Sequence, residues 1–204
     1  MTVAQSVTLF QQWFPAVENE IDTLQFLSAS RGIVWLVDQF GLAFEPVKKD
    51  LLGNIEKINA KYLENTEEFN CLLRMILYEN ERGENHAIES LLWLRRGLTF
   101  MSKFLSIFLE NEKKGIHDEN LCRIMKVAYE ETLAAHHNFA IRILFRMLQA
   151  KCPSRSRFLT IIGQEELEDR KVIISHLDDY SEKLATNLET LIAFCQKHNI
   201  QPHH

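Results

Sequence analysis

The segment at residues 48–57, KKDLLGNIEK, contains three polar side chains that could bind a ligand together. Asp50, Asn54 and Lys57 recur at helical spacing, so a carboxylate, an amide and an ammonium would point to one side of a helix. The same spacing is typical of a solvated helix face held by spaced polar pairs. Spacing alone favours the solvated face, so a binding role needs support from other residues.

Two further candidates lie in apolar surroundings on predicted helices. Trp93 falls inside an apolar arc with Arg96 at its polar edge, so its indole is either a core ring or the wall of a cleft. His137 falls in the middle of an apolar stripe, where an unsatisfied polar group costs about 1–3 kcal/mol. The stripe is made by Leu133, Ala134, Ile141, Leu144, Phe145 and Leu148. His137 is therefore either a core histidine bonded to a neighbour or a donor aimed into an apolar cavity. Gly97, in mid-helix, costs about 1 kcal/mol relative to Ala and indicates close packing there.

Phe139 projects from the polar face of the same predicted helix as His137, together with Arg142 and Arg146. From Arg142 to Arg157 the chain has five basic residues and no acidic one. An amphipathic ring among basic residues is typical of a surface that docks on membrane headgroups. A protein-binding patch is the alternative interpretation.

Composition and motifs exclude several classes of function. A net charge of -5 argues against bulk nucleic-acid binding. The four cysteines are far apart without a CxxC pair, which indicates reduced thiols and a cytoplasmic protein. The sequence has no secretory signal and no apolar run near the roughly 20 residues that span a bilayer. Metal, nucleophile and phosphate-loop motifs are absent, so we expect no catalytic residue, no metal, no cofactor and no enzyme activity. The terminal HNIQPHH could chelate metal adventitiously.

The elements that must position these residues are predicted to be helices. Gly and Pro number only seven and four in 204 residues, and no window alternates with period 2 over the length of a strand. We find no linker and no repeat, so residues 1–204 are predicted to form a single all-α domain. Helices are predicted over about 4–12, 20–40, 46–62, 66–81, 86–113 and 119–151, followed by a short helix in SRSRFLTIIGQ and a C-terminal helical stretch with a possible break near LDDY.

Three segments occur in an order that resembles the glycolipid transfer protein family. They are FEPVKKDLLGNIEKI, then LLWLRRGLTF about 40 residues on, then AYEETLAAHHNF. The resemblance implies a two-layer helical sandwich of about eight helices that encloses a lipid pocket. It also implies non-enzymatic transfer or sensing of glycosphingolipids, through transient peripheral contact with membranes.

The resemblance assigns a role to each matching position. Asp50 would bond the ceramide amide N–H and a sugar hydroxyl, and Asn54 and Lys57 would bond hydroxyls of the first sugar. Trp93 would stack its indole on that sugar, and His137 would donate to the amide carbonyl. The lipid chains would lie among nine apolar residues, namely Leu36, Val37, Phe40, Phe44, Val47, Phe104, Leu133, Phe145 and Leu148.

Some expectations stay open at this point. Phe139, Arg142 and Arg146 would dock on the membrane, although family members often carry Trp where this chain has Asn138 followed by Phe139. Trp93 favours a sugar headgroup. Arg95 or Arg96 could instead bind an acidic group, so a sulfated lipid and a ceramide phosphate are alternative ligands. A helical protein-interaction module is the alternative from another class. The expected partners are a glycosphingolipid and a membrane surface, with no nucleic acid, and the chain is expected to be a monomer.

Overall fold

The computed structural model describes residues 9–18, 20–163 and 169–201. In these ranges the regular structure is helical, and strand pairing is limited to the isolated bridges Asp22–Cys71 and Asn120–Ser154. The prediction of an all-α chain with about eight helices is therefore confirmed. The α-helices are α1 (Thr23–Asp38), α2 (Glu45–Glu64), α3 (Leu72–Glu81), α4 (His86–Lys113), α5 (Cys122–Thr132), α6 (Phe139–Gln149), α7 (Arg155–Gly163) and α8 (Arg170–Lys197).

Helix α4 lies at the centre of the fold and contacts α1, α2, α3, α5 and α8. Leu94, Leu98 and Leu105 on this helix are completely buried, as expected for a helix with an apolar arc wider than a surface helix needs. A Cβ atom on Gly97 would lie 2.7 Å from Cδ2 of Leu51 in α2. The close packing predicted at Gly97 is therefore confirmed, and it occurs against the helix that carries Asp50.

The first turn of α4 is capped by a side chain from the preceding helix. Glu79 in α3 is 1% exposed, and its two carboxylate oxygens accept hydrogen bonds from the backbone N–H groups of Ala87 and Ile88 at 3.0 and 2.7 Å. These N–H groups have no partner within the helix, and the helix dipole favours a negative charge at this end. Glu79 thereby joins α3 to the start of the central helix.

The single helix predicted over 119–151 is wrong. Helix α5 ends at Thr132, and a 3₁₀ turn at Ala134–His136 and an extended His137 precede α6. Asn138 begins the new helix, because its side chain accepts a hydrogen bond from the N–H of Ile141 at 3.0 Å. Arg142 then donates to the carbonyl oxygens of Ala134 and His137 at 2.7 and 2.9 Å. These bonds satisfy backbone groups that an unbroken helix would have paired.

Other predicted boundaries differ in smaller ways. Asn65 and Glu68 do bond each other reciprocally, but they lie at the start of a 3₁₀ turn (Glu68–Asn70) rather than of α3. Helix α8 is unbroken at LDDY because Leu177 and Tyr180 are fully buried on one face. Of the first predicted helix, residues 4–8 lie outside the described residues, and Leu9–Gln11 forms a 3₁₀ turn. The last two histidines also lie outside the described residues.

Helices α4, α7 and α8 are joined by a buried ion-pair network at Glu112. Arg155 donates to both oxygens of this carboxylate at 2.5 and 2.7 Å, and both side chains are about 5% exposed. Arg170 donates to the same carboxylate at 2.8 Å. The prediction that Arg155 extends a basic surface is therefore wrong, because its guanidinium is buried and paired with Glu112.

Candidate functional site

Asp50 and His137 come from distant parts of the chain and lie close enough for their charges to interact. Asp50 lies in the second turn of α2, and His137 lies in the break between α5 and α6. Although water reaches the Asp50 carboxyl, the surrounding protein desolvates it enough to raise its pKa, against the opposing effect of the charges of His137 and Lys57. The carboxyl group of Asp50 therefore lies within electrostatic range of the imidazole of His137 and of the ammonium of Lys57.

The polar row on α2 consists of Asp50, Asn54 and Lys57, and Asn54 is the most buried of the three. It is 7% exposed, and its amide nitrogen donates to the backbone carbonyl of Asp50 at 2.9 Å. Asp50 and Lys57 are exposed on either side of it. The interpretation of the polar row as a solvated helix face therefore does not hold for Asn54. The second hydrogen of its amide group is its remaining donor.

Trp93 is 40% exposed on α4, so it is not a core ring. The guanidinium of Arg96, one turn on, lies over the indole at 4.3 Å from the ring centroid. This is within cation–π distance. Gly97 follows Arg96, and its contact with Leu51 places the Trp93 region of α4 against the Asp50 region of α2.

Tyr129 is a site residue that the sequence reasoning missed. Its hydroxyl lies 3.1 Å from Nδ1 of His137, and its ring stacks on Phe145 with centroids 3.6 Å apart. Burial raises the pKa of the Tyr129 hydroxyl, so the hydroxyl keeps its proton at neutral pH and is able to donate it to Nδ1. With the hydroxyl as the donor, the imidazole proton lies on Nε2. In that tautomer His137 offers an N–H donor to a ligand.

His137 is also held in its neutral form. Burial lowers its pKa, with a further lowering from His136, and the charge of Asp50 opposes both. Burial likewise lowers the pKa of His136, followed by the charges of Arg96 and Arg95. The site therefore combines a neutral imidazole donor with one carboxylate acceptor and several cations.

The nine residues predicted to line the lipid pocket divide into two groups by burial. Leu36, Val37, Phe44, Phe104 and Leu148 are buried, and the other four are partly buried. Several pack around the ring of Phe158 in α7, which contacts Phe40 and Phe104 edge-on at 6.2 and 5.5 Å. Phe145 contacts Phe100 in the same way at 5.9 Å. Eight of the nine predicted lining residues thus belong to the hydrophobic core or pack against it, and Leu133 is the exception.

Three surface clefts lie at other places and share none of the predicted site residues. One cleft, of about 480 Å³, lies beside residues 11–13 and α1. A second, of about 570 Å³, lies between α4 and α8. A third, of about 540 Å³, lies between residues 13–17 and α8. Within the described ranges, no group of three or more His, Cys, Asp or Glu side chains is placed to hold a metal ion. These clefts therefore add no group to the set around Asp50.

Helix α6 exposes an apolar face instead of the buried stripe that the sequence pattern predicts. Phe139 is 78% exposed, as expected. Other apolar residues of α6 are also exposed, including two that the sequence pattern predicts to face inward. Ile141 and Leu144 are 40% and 41% exposed, and Met147 is 65% exposed. The inward prediction is therefore wrong for Ile141 and Leu144. Arg142 is engaged with two backbone carbonyls, whereas Arg146 is exposed beside this face.

The fold and these groups define a class of protein. The sequence profile of the Glycolipid transfer protein (GLTP) family matches residues 21–164. The chain therefore belongs to the glycolipid transfer protein family, which is a family of lipid transfer proteins rather than of enzymes. Among the described residues, no helix combines the length and the apolar character needed to cross a bilayer.

Particular relatives support this assignment. Pleckstrin homology domain-containing family A member 8 of Rattus norvegicus is 37% identical over 163 residues, which are 78% of this chain and 30% of that protein. The chain thus spans about a third of the length of this relative. Glycolipid transfer protein of Aureobasidium melanogenum is 32% identical over 158 residues, covering 77% of this chain and 76% of the relative.

A solved structure shows the same fold over nearly the whole chain. It is the GLTP-fold structure that addresses how FAPP2 selects simple glycosphingolipids. It is 28% identical with a TM-score of 0.83, and the match covers 98% of this chain and 96% of that chain. The fold class expected from the sequence is therefore confirmed.

Proposed function

We propose that this protein transfers or senses glycosphingolipids without catalysing a reaction, by holding a sugar–amide headgroup between α2, α4 and the α5–α6 break. The observation that carries the proposal is the electrostatic proximity of Asp50 and His137. One accepts and the other donates, so together they can bond the N–H and the C=O of a single amide. FAPP2, a protein of the same fold, selects simple glycosphingolipids.

The sugar would lie against Trp93, within reach of Asn54 and Lys57. A sugar ring has an apolar face, which suits an exposed indole, and hydroxyl edges, which suit an amide and an ammonium. Burying the lipid chains in the core around Phe158 would gain about 0.8 kcal/mol for each CH₂. Because that core is already packed, entry of the chains requires helices to move apart. Helix α6 is the described α-helix with only one buried residue, Leu148.

Membrane contact is proposed for the exposed face of α6. Phe139, Met147 and their apolar neighbours form the surface, and Arg146 supplies a positive charge for anionic lipids. Arg142 contributes mainly by holding the turn before α6, because its donors are engaged with carbonyls. We further propose a single domain over residues 1–204, a cytoplasmic location and a monomeric state.

A vesicle assay tests the transfer function. Donor vesicles contain labelled galactosylceramide, and acceptor vesicles contain none. We expect the parent protein to move the label, and Asp50→Val and Trp93→Ala to move it at least about tenfold more slowly, because each loses about 1.4 kcal/mol or more of ligand contact. Glu56→Val, which changes an exposed acid on the same helix, is the matched control. Equal rates for all four proteins would refute the proposed headgroup site.

A second experiment separates membrane docking from a protein-binding surface. Phe139→Ala should weaken vesicle binding, whereas Leu63→Ala, which removes a leucine that is 63% exposed on α2, should not. Binding of the parent protein to vesicles that contain no protein supports docking on lipid. No vesicle binding by the parent would favour the alternative of a protein partner on α6.

A further inference from the structure

Two of the four cysteines lie on chain segments that pair with each other. Cys122 is the first residue of α5, and Cys152 lies in the connection between α6 and α7. Asn120 and Ser154 form an antiparallel bridge. Along this pairing, Cys122 lies two residues after Asn120 and Cys152 lies two residues before Ser154. The backbone therefore brings the two cysteines to opposite positions on neighbouring segments.

Hydrogen bonds on both sides of the bridge hold these segments together. The backbone N–H of Arg155 donates to the carbonyl oxygen of Glu119 at 3.0 Å. On the other side, the side-chain amide of Gln149, the last residue of α6, donates to the carbonyl oxygen of Cys122 at 3.0 Å. Directly opposite residues of an antiparallel pair have Cα atoms about 4.5–5.5 Å apart, which is within the range of about 4.4–6.8 Å that a disulfide spans. A disulfide here therefore needs little movement of the backbone.

The thiols of this pair are more accessible than the other two. Cys71 and Cys195 are each 4% exposed, whereas Cys122 and Cys152 are partly exposed, and all four thiols are free. Burial, together with the charge of Cys122, raises the pKa of Cys152 to about 12. The two sulfur atoms are therefore within electrostatic range of each other, and the Cys152 thiol keeps its proton at neutral pH.

We propose that Cys122 and Cys152 form a redox-sensitive modification site, where a small-molecule disulfide such as oxidised glutathione converts the two thiols into a disulfide. The Cys122 thiolate attacks one sulfur of the small disulfide, which forms a mixed disulfide and releases one thiol. Cys152 then loses its proton and attacks the Cys122 sulfur, which expels the second thiol. The protein gives up two electrons and two protons, and the small disulfide takes them up as two thiols. Cys122 attacks first, because a protonated thiol is a poor nucleophile.

The disulfide would hold the C-terminal end of α6 against the start of α5. In the reduced protein this end carries Leu148, the buried residue of α6, and the hydrogen bond from Gln149. Under the proposed function, on which this part of the inference rests, lipid chains enter when α6 moves away from the core. A covalent bond at this end restricts that movement, so oxidation should slow transfer.

Peptide mapping by mass spectrometry tests the modification without any lipid. The full chain is incubated with oxidised glutathione near neutral pH, and the remaining free thiols are blocked. We expect the parent to lose the mass of two hydrogen atoms, to contain one linked pair of peptides with Cys122 and Cys152, and to regain the mass on reduction. Cys71 and Cys195 should stay free. A linked pair that includes either of them, a parent that keeps glutathione on Cys122, or no reaction would overturn the inference.

Two serine variants test the order of attack. Cys152→Ser should stop at the mixed disulfide and carry one glutathione on Cys122, because the second thiol is missing. Cys122→Ser should stay unmodified, because its Cys152 thiol is protonated. Glutathione on Cys152 in this variant would contradict the assigned order. The peptide map of the parent decides on the disulfide even if a variant fails to fold.

Transfer of labelled galactosylceramide between vesicles tests the effect on α6. The oxidised parent should move the lipid more slowly than the reduced parent and should recover its rate on reduction. Cys122→Ser, treated with the same oxidant, is the matched control and should keep its untreated rate. If the reduced parent moves no lipid, the proposed function fails, whereas the peptide map still tests the disulfide. Equal rates for the oxidised and reduced parent would refute the restriction of α6 and leave the proposed function intact.

Discussion

Replacing Tyr129 by Phe removes one oxygen atom from the site and leaves the ring in place. The Tyr129 hydroxyl lies 3.1 Å from Nδ1 of His137, whereas the ring stacks on Phe145 at 3.6 Å with an interplanar angle of 9°. The stacking therefore survives the substitution. What is lost is the hydroxyl that fixes the direction of the imidazole and, as a donor to Nδ1, would place its proton on Nε2.

The expected magnitude follows from that one bond. A neutral hydrogen bond contributes about 0.5–1.5 kcal/mol net, which corresponds to a loss of about 2- to 10-fold in lipid affinity. Stability should fall by no more than about 1.5 kcal/mol, since the ring contacts persist. Affinity can be measured by titration with a soluble short-chain galactosylceramide, and stability by unfolding in guanidinium chloride. Tyr78→Phe, on α3, is the matched control.

A double-mutant cycle tests whether Tyr129 acts through His137. In a His137→Ala background, Tyr129→Phe should have no further effect on affinity. An equal loss in both backgrounds would refute the reasoning. Nitrogen chemical shifts give an independent check, because the parent should show the proton of His137 on Nε2. A proton on Nδ1 would contradict the assigned tautomer.

Three other perturbations have defined outcomes. Glu79→Ala should lower the free energy of unfolding by about 2–4 kcal/mol, because it removes two charge-assisted bonds to the first turn of α4. Arg155→Met should lower it by about 2–3 kcal/mol, less than the about 3–5 of an isolated buried pair, since Arg170 remains 2.8 Å from the Glu112 carboxylate. Both changes are measured by denaturant unfolding. Burial holds the pKa of His137 below its ordinary value of 6.5, so its contribution to stability should be constant above that pH and decline as the pH falls through the folded pKa.

The checks on these predictions are direct. For Glu79→Ala, a fall of less than about 0.5 kcal/mol in the free energy of unfolding would contradict the capping role, because ordinary surface substitutions cost that little. For Arg155, the double variant with Glu112→Leu should recover most of the loss, because no buried charge is left unpaired. For His137, a His137→Gln variant should remove part of the acid sensitivity. An unchanged pH profile would contradict the assigned shift.

The helices that carry the polar row and Trp93 could be predicted closely from the sequence. A helix tolerates proline in its first turn, and Pro46 lies in the first turn of α2, which begins at Glu45. The predicted boundaries 86–113 coincide with α4, because its apolar periodicity is uninterrupted. In both cases the local pattern agrees with the tertiary packing, so the two sources of information lead to the same boundaries.

The region around His137 could not be predicted from periodicity. Apolar residues continue at helical spacing through the break, and neither Gly nor Pro marks it. The break depends on the cap at Asn138 and on two carbonyl bonds from Arg142, of which only the cap has a sequence signal. Tyr129 was missed for the same reason, since an unbroken helix would place it more than two turns from His137.

The contact between Gly97 and Leu51 lies among the groups that would hold the headgroup. Leu51 follows Asp50 directly, and Gly97 follows Trp93 by one turn, so the two helices touch beside both groups. The width of the site is therefore determined at a position that has no side chain and would touch no ligand. A larger residue at position 97, or a smaller one at position 51, would change which headgroups fit while every hydrogen-bonding group stayed the same. Size selection and chemical selection are thus separable in this fold.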